Sequence, residues 1–170
     1  MTLTADTMNR MSAMSNIPRF DIAFLLAQLG HHSAERYTAR IAELELTPPQ
    51  AGILRAIAGE PGRSQQALSE QLGLLPSRVV AFIDDLERRG LLQRRRNPGD
   101  RRLYALYLTE QGEALMSKLA TLSDAHESEI TEGLSEHQRT QLGELLAALA
   151  ERQQLRSAHP AYSSVGRVRH

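Results

Sequence analysis

SQQALSEQLGLLPSRVVAFIDDLERR, residues 64–89, runs directly into GLLQRRRNPGDRRLYALYLTEQG, residues 90–112. In the first segment Ser64 is a natural N-cap for a short helix, Gln65 to Leu72, with Ala67, Leu68 and Leu72 inward. Gly73-Leu74-Leu75 turns the chain. Pro76 opens a second helix to Arg89, whose Val79, Ile83 and Leu86 share one face, and Gly90 stops it as a left-handed cap. Two helices joined by a three-residue turn make a helix-turn-helix, in which the first braces the second and the second lies in the DNA major groove.

In the second segment two strand-like runs, Leu91–Arg94 and Leu103–Leu108, flank the turn residues Asn97-Pro98-Gly99-Asp100. Seven arginines lie around this hairpin: Arg88, Arg89, Arg94, Arg95, Arg96, Arg101 and Arg102. A cationic tip suits phosphate, and an arginine can also enter a minor groove. A basic hairpin directly after a helix-turn-helix predicts a winged helix-turn-helix.

Helices extend outward on both sides. Upstream, Asn16 and Pro18 start a helix expected to reach about Leu46, with Ile22, Leu25, Leu29, Tyr37, Ile41 and Leu44 as a stripe. Phe20, Phe24 and Ala27 form a second face, so this helix needs two partners, and another subunit is the simplest second one. Thr47-Pro48-Pro49-Gln50 opens the next helix, with Gln50 placed for a reciprocal cap, and Gly59-Glu60-Pro61-Gly62 closes it. Downstream, Thr109-Glu110 starts a helix to about Glu132, and Gly133-Leu134 breaks it. Ser135 and Gln138 form a capping box for a last, leucine-rich helix to about Arg156. The expected organisation is a disordered start (1–15), an N-terminal dimerisation helix (16–46), a winged domain (47–109), C-terminal dimerisation helices (110–157) and a tail (158–170). The fold class is mainly α with a small β-hairpin, in about six helices.

Composition fits this plan. The 170 residues are 41% hydrophobic and 4% aromatic, with no Trp, as in helix packing built on Leu and Ala. Formal net charge is zero, which argues against a general polyanion binder. Between Thr47 and Thr109, however, ten Arg stand against six Asp and Glu, so one face is locally basic. The absence of cysteine removes disulfides and thiolate metal sites. The N-terminal segment has no basic start followed by an apolar core, and no apolar run reaches membrane-spanning length. The expectation is a cytoplasmic protein without cofactor, metal site or enzymatic activity, since no catalytic constellation is present.

LTPPQAGILRAI at 46–57, QQALSEQLGLLPSRVVAFIDDLERRGLLQR at 65–94 and DRRLYALYLTEQG at 100–112 resemble the MarR family of transcriptional regulators. The wing signature, Asp-x-Arg and then Leu-Thr after five residues, is met by Asp100, Arg102, Leu108 and Thr109. With Gly133-Leu134-Ser135-Glu136, the resemblance spans about residues 17–156. It implies a homodimer whose N-terminal and last two helices interlock over a pseudo-palindromic operator in double-stranded DNA. It also implies a repressor released by a small phenolic or carboxylate ligand held between the dimerisation and DNA-binding regions.

Particular residues follow. Ser77, Arg78, Val80 and Ala81 at the exposed start of the second helix are candidate base contacts, with Arg78 placed for a guanine edge or a phosphate. Ser64, Gln65 and Gln66 suit phosphate, or serve only as cap and solvated surface. Arg95 and Arg96 would follow phosphates, and Arg101 or Arg102 would enter the minor groove. The family motif makes Asp100 the brace of Arg102, while Arg94, at the wing's base, suits a salt bridge. His31, His32, Tyr37 and Arg55 are candidate effector contacts, or surface and interface residues. Asp84 and Asp85 depart from the family pattern. Turned to DNA they would repel phosphate, and an adaptor of proteins rather than DNA is the alternative they suggest; paired with nearby arginines they are structural.

Overall fold

The computed structural model describes residues 21–96 and 104–155. Among these residues are six helices and one antiparallel hairpin: α1 (Ile22–Ala42), α2 (Pro48–Gly59), α3 (Gln65–Leu72), α4 (Pro76–Arg88), β1 (Leu92–Arg96), β2 (Tyr104–Leu108), α5 (Glu110–Ile130) and α6 (Glu136–Arg152). The chain divides into two compact units, Met1–Glu35 and Arg36–His170. The mainly helical fold with a small hairpin is as the sequence predicts. The disordered start, the Asn16 cap and the tail all lie outside the described residues.

Hydroxyl caps set three of the six helix starts. Ser64 accepts from the Ala67 N–H at 3.2 Å, Thr109 from Gly112 at 3.1 Å and Ser135 from Gln138 at 3.3 Å. Gln50 reaches back at the start of α2, where its Oε1 accepts from the Thr47 N–H at 2.8 Å and the Thr47 hydroxyl at 2.9 Å. Left-handed glycines follow three helices: Gly73 after α3, Gly90 after α4 and Gly133 after α5. At such φ values glycine avoids the Cβ clash that other residues meet.

Two helix ends differ from expectation. α1 stops at Ala42 rather than near Leu46, because Glu43 to Glu45 form a turn with Glu45 at φ 54°. That turn lets Leu46 enter the core. α6 stops at Arg152 rather than Arg156, with Gln154 at φ 52°.

The core of the second unit gathers Tyr37 and Ile41 from α1, Ile53, Leu54 and Ile57 from α2, Leu68 and Leu72 from α3, and Val79, Ile83 and Leu86 from α4. Leu92 and Leu106 of the hairpin and Leu119 of α5 complete it. Side chains this completely removed from water contribute about 1.5–3 kcal/mol each. The predicted α1 stripe is therefore only partly buried. Tyr37 and Ile41 are covered, whereas Ile22, Phe24, Leu25 and Leu29 are exposed. α6 is more extreme: none of its residues is buried, and Leu142, Leu145, Leu146 and Leu149 are 40–65% exposed.

The hairpin also differs in detail. β1 begins at Leu92 and runs to Arg96, paired Leu92↔Leu108 through Arg96↔Tyr104. Leu91 is withheld from this ladder because its N–H donates to Leu86 and its carbonyl accepts from Thr109. A third segment joins the sheet, since the Gly62 N–H donates to the Leu106 carbonyl at 2.8 Å and Leu106 donates to Arg63 at 3.0 Å.

Candidate nucleic-acid interface

The candidate surface is built from the N-terminal turns of α3 and α4 and the strands of the hairpin. In α4, packing of Val79, Ile83 and Leu86 turns Ser77, Arg78, Val80 and Ala81 outward, and all four are exposed. The helical period of 3.6 makes one choice the consequence of the other. Gln66 is exposed and donates to Glu70 at 3.1 Å. Ser64 is half-buried and acts as a helix cap, so its hydroxyl already has a local task.

Arg94 clamps the wing to α4. Its guanidinium pairs with Asp84 and Glu87, and its backbone N–H donates to Glu87 at 3.1 Å. Turned to present its oxygen, the Gln65 amide also accepts from Arg94, at 2.9 and 3.0 Å. Burial on its own would lower the Arg94 pKa. Hydrogen bonds to Asp84 and Glu87, with their charges, outweigh burial and raise it. The structural reading of Arg94 is thus realised, and Gln65 is drawn into the same cluster.

Asp85 does the matching work on the other flank of α4. It accepts from Gln50 Nε2 at 2.8 Å and from Arg88 at 3.0 Å, and lies 3.7 Å from Arg89. Arg89 in turn donates to the Glu45 carbonyl at 2.8 Å. Both aspartates that depart from the family pattern are therefore paired within the fold.

Strand alternation separates the two arginines expected to follow phosphates. Arg94 and Arg96 share one face of β1, and Arg95 lies on the other. Both Arg95 and Arg96 are exposed, and the Arg95 guanidinium sits 4.7 Å from the centre of the Tyr107 ring. Beneath it an open cleft of about 390 Å³ is lined by Ile57, Pro61, Arg95, Tyr107, Glu113 and Met116, among others. Asp100, Arg101 and Arg102 lie outside the described residues.

The candidate effector residues divide. Tyr37 and Arg55 come together, with the guanidinium 5.6 Å from the ring centre and its Nη2 donating to Ser123 at 2.5 Å. His126, buried and missing from the sequence-based set, packs against the same tyrosine with ring centres 5.5 Å apart and planes tilted by 55°. Nothing in its local sequence names a partner on α1, 89 positions earlier in the chain. Arg36 and Arg40 both pair with Glu129 one helical turn further on. His31 and His32, in the first unit, are exposed, and His31 lies 3.4 Å from Glu35 in an i,i+4 pair. Among the described residues no cluster of three or more His, Cys, Asp or Glu could hold a metal, and no helix is long and apolar enough to cross a membrane.

Both the sequence and the fold have known relatives. Residues 44–103 match the model of the MarR family. The transcriptional regulator HosA of Escherichia coli O111:H- is 33% identical over 91 residues, covering 54% of this chain and 67% of that protein. A Thauera aromatica protein named for regulation of the hcr operon is 33% identical over 104 residues, 61% of this chain. The matched stretch spans 63% of that relative's length. Among solved structures, the transcriptional repressor CouR bound to a 23-mer DNA duplex is 35% identical, with a TM-score of 0.68 over 76% of this chain and 92% of that one. CouR from Rhodococcus jostii RHA1 bound to p-coumaroyl-CoA is 28% identical, with a TM-score of 0.65 over 77% and 92%.

Proposed function

The chain belongs to the MarR family of transcriptional regulators, DNA-binding proteins rather than enzymes, and from that premise we propose a homodimeric repressor that a small phenolic or carboxylate ligand releases from a pseudo-palindromic operator. The observation that carries the reading is the exposed start of α4 beside an arginine-bearing hairpin, with Arg94 locking the two elements together. Ser77, Arg78, Val80 and Ala81 are the base-facing set, and Arg95, Arg96, Arg101 and Arg102 the backbone and minor-groove set, with Asp100 bracing the wing. Ser64, Gln65 and Gln66 contribute at the edge, with Gln66 the exposed member of the three.

The dimer is supported by α6. A helix with four exposed leucines and no buried residue gains little by folding against its own chain, and a second copy supplies the missing apolar partner. Repression and release are supported by the DNA and p-coumaroyl-CoA complexes of the CouR proteins. Tyr37 and Arg55 offer a ring and a cation in one cluster, and His31 and His32 are further candidates on the first unit. The adaptor reading loses its motive, because Asp84 and Asp85 are neutralised by Arg94, Arg88 and Arg89.

The test is a mobility-shift titration with the duplex upstream of the chain's own gene, set against an unrelated duplex. Preferential binding by a dimer is expected, and Arg102→Ala should weaken it about tenfold or more with the dimer intact by sedimentation. Equal affinity for both duplexes would contradict sequence-specific regulation.

A further inference from the structure

The start of α4 departs from that of three other helices. α3, α5 and α6 each start with a hydroxyl cap, but α4 has Leu75 at the N-cap position and no side-chain cap bond. Pro76 at the first helical position carries no N–H, and the Arg78 N–H donates to the Leu75 carbonyl at 3.0 Å, so this turn is held without the side-chain oxygen that Ser, Thr, Asp or Asn would bring. Packing does not account for the leucine. Leu75 is 67% exposed, whereas the adjacent Leu74 packs against the core. Further along the helix Val80 is 39% exposed, a β-branched side chain on a helix surface where its stiffness lowers helix propensity. Ala81 beside it is also exposed. Exposed aliphatic side chains at the cap position and on the first outward turn, which the core does not use, mark a surface shaped for recognition.

These aliphatic groups do not stand on an apolar patch. Ser77 and Arg78 lie between them, Arg96 is on the neighbouring strand, and the nearby Asp84 is neutralised by Arg94. An extended apolar partner would leave this polar and cationic frame unsatisfied. The major groove offers the matching mixture: acceptors and donors on base edges and, at each thymine, a C5 methyl group. Shielding one methyl from water favours binding about fourfold. We propose that Leu75 and Val80 are specificity-determining residues that read thymine methyl groups in each half-site. The proposal deepens the DNA-binding reading and rests on it. It also explains why the cap position holds leucine: Pro76 and the Leu75 carbonyl secure the first turn, which leaves the Leu75 side chain for a methyl-sensing surface.

The experiment uses the full chain and the tightest-binding duplex it selects from a randomised pool. Each thymine is replaced in turn by deoxyuridine, which removes the methyl and keeps the base pair. The wild-type chain should lose about fourfold in affinity at one or more thymines of each half-site. Leu75→Ser places a favoured cap residue at an exposed position, so Tm should not fall, while the deoxyuridine penalty at its own thymine should be abolished. Val80→Ala should abolish the penalty at a different one. A duplex in which no deoxyuridine substitution matters, or a penalty unchanged in both variants, overturns the thymine assignment. If binding is nevertheless tight and steeply salt-dependent, the DNA-binding reading survives that failure. A chain that retains no duplex from the pool overturns both.

Discussion

Replacing Gly112 by alanine is expected to destabilise the protein by about 3 kcal/mol or more, although the position lies inside the first turn of a helix. Gly to Ala on an open helix surface is ordinarily favourable by up to about 1 kcal/mol. Here the added Cβ would stand 2.0 Å from the Leu91 carbonyl oxygen, 3.0 Å from its carbon and 3.4 Å from Leu108 Cβ. The obstruction is backbone, which cannot rotate away as a side chain would. It is also fixed: the Leu91 carbonyl accepts from Thr109, and the Thr109 hydroxyl donates to the Gly90 carbonyl at 2.6 Å. The cap of α5, the end of α4 and the start of the wing therefore meet at one point that only glycine allows. Urea unfolding measures the loss, with Gly59→Ala, whose Cβ meets nothing within 4 Å, as the control. Equal midpoints for Gly112→Ala and the wild type would show that the joint is looser than this packing implies.

Arg94→Ala is expected to lower operator affinity about tenfold or more while costing only about 1–2 kcal/mol of stability. The two effects part because of where the partners sit. Asp84 and Glu87 are 55% and 37% exposed as side chains, so water rehydrates them when the arginine is removed, and screening limits the stability loss. On the DNA side the same change frees two carboxylates beside the recognition helix, and a dimer would present four. It also unties β1 from α4, so the wing no longer has a fixed setting relative to the helix. Arg94→Lys keeps the charge without the planar fork that engages two carboxylates at once, and should fall between the two. Unchanged duplex affinity in Arg94→Ala would show that the clamp is not needed for recognition.

Much of this arrangement was legible in residue order. Ser64, Thr109 and Ser135 announce helices by chemistry that acts within three residues, and Gly90 and Gly133 end them by a φ that other residues avoid. The outward set on α4 followed from the inward set, because a helix has one period. Local signals ran out where pairing is distant. Nothing near Arg63 indicates that it bridges to Leu106 across the domain, and nothing near Gly112 names the Leu91 carbonyl as its neighbour. Periodicity showed that the α6 leucines form a face but not that the face goes uncovered within the chain. Asp84 and Asp85 were the instructive case. As sequence they suited pairing with Arg88, Arg89 or a wing arginine better than a place against DNA. The positions of Arg94, Arg88 and Arg89 realise that pairing, with Gln50 as a partner that local order did not name.

The most direct test of the central claim is the salt dependence of duplex affinity, because cations that replace condensed counterions leave a slope that counts them. With several wing and helix arginines contributed by each of two copies, log affinity against log salt is expected to fall with a slope of about −5 or steeper. Arg95→Ala and Arg96→Ala should each make it shallower by about one unit per arginine removed. A slope near zero, unaltered by either substitution, would contradict the assignment of this face to DNA.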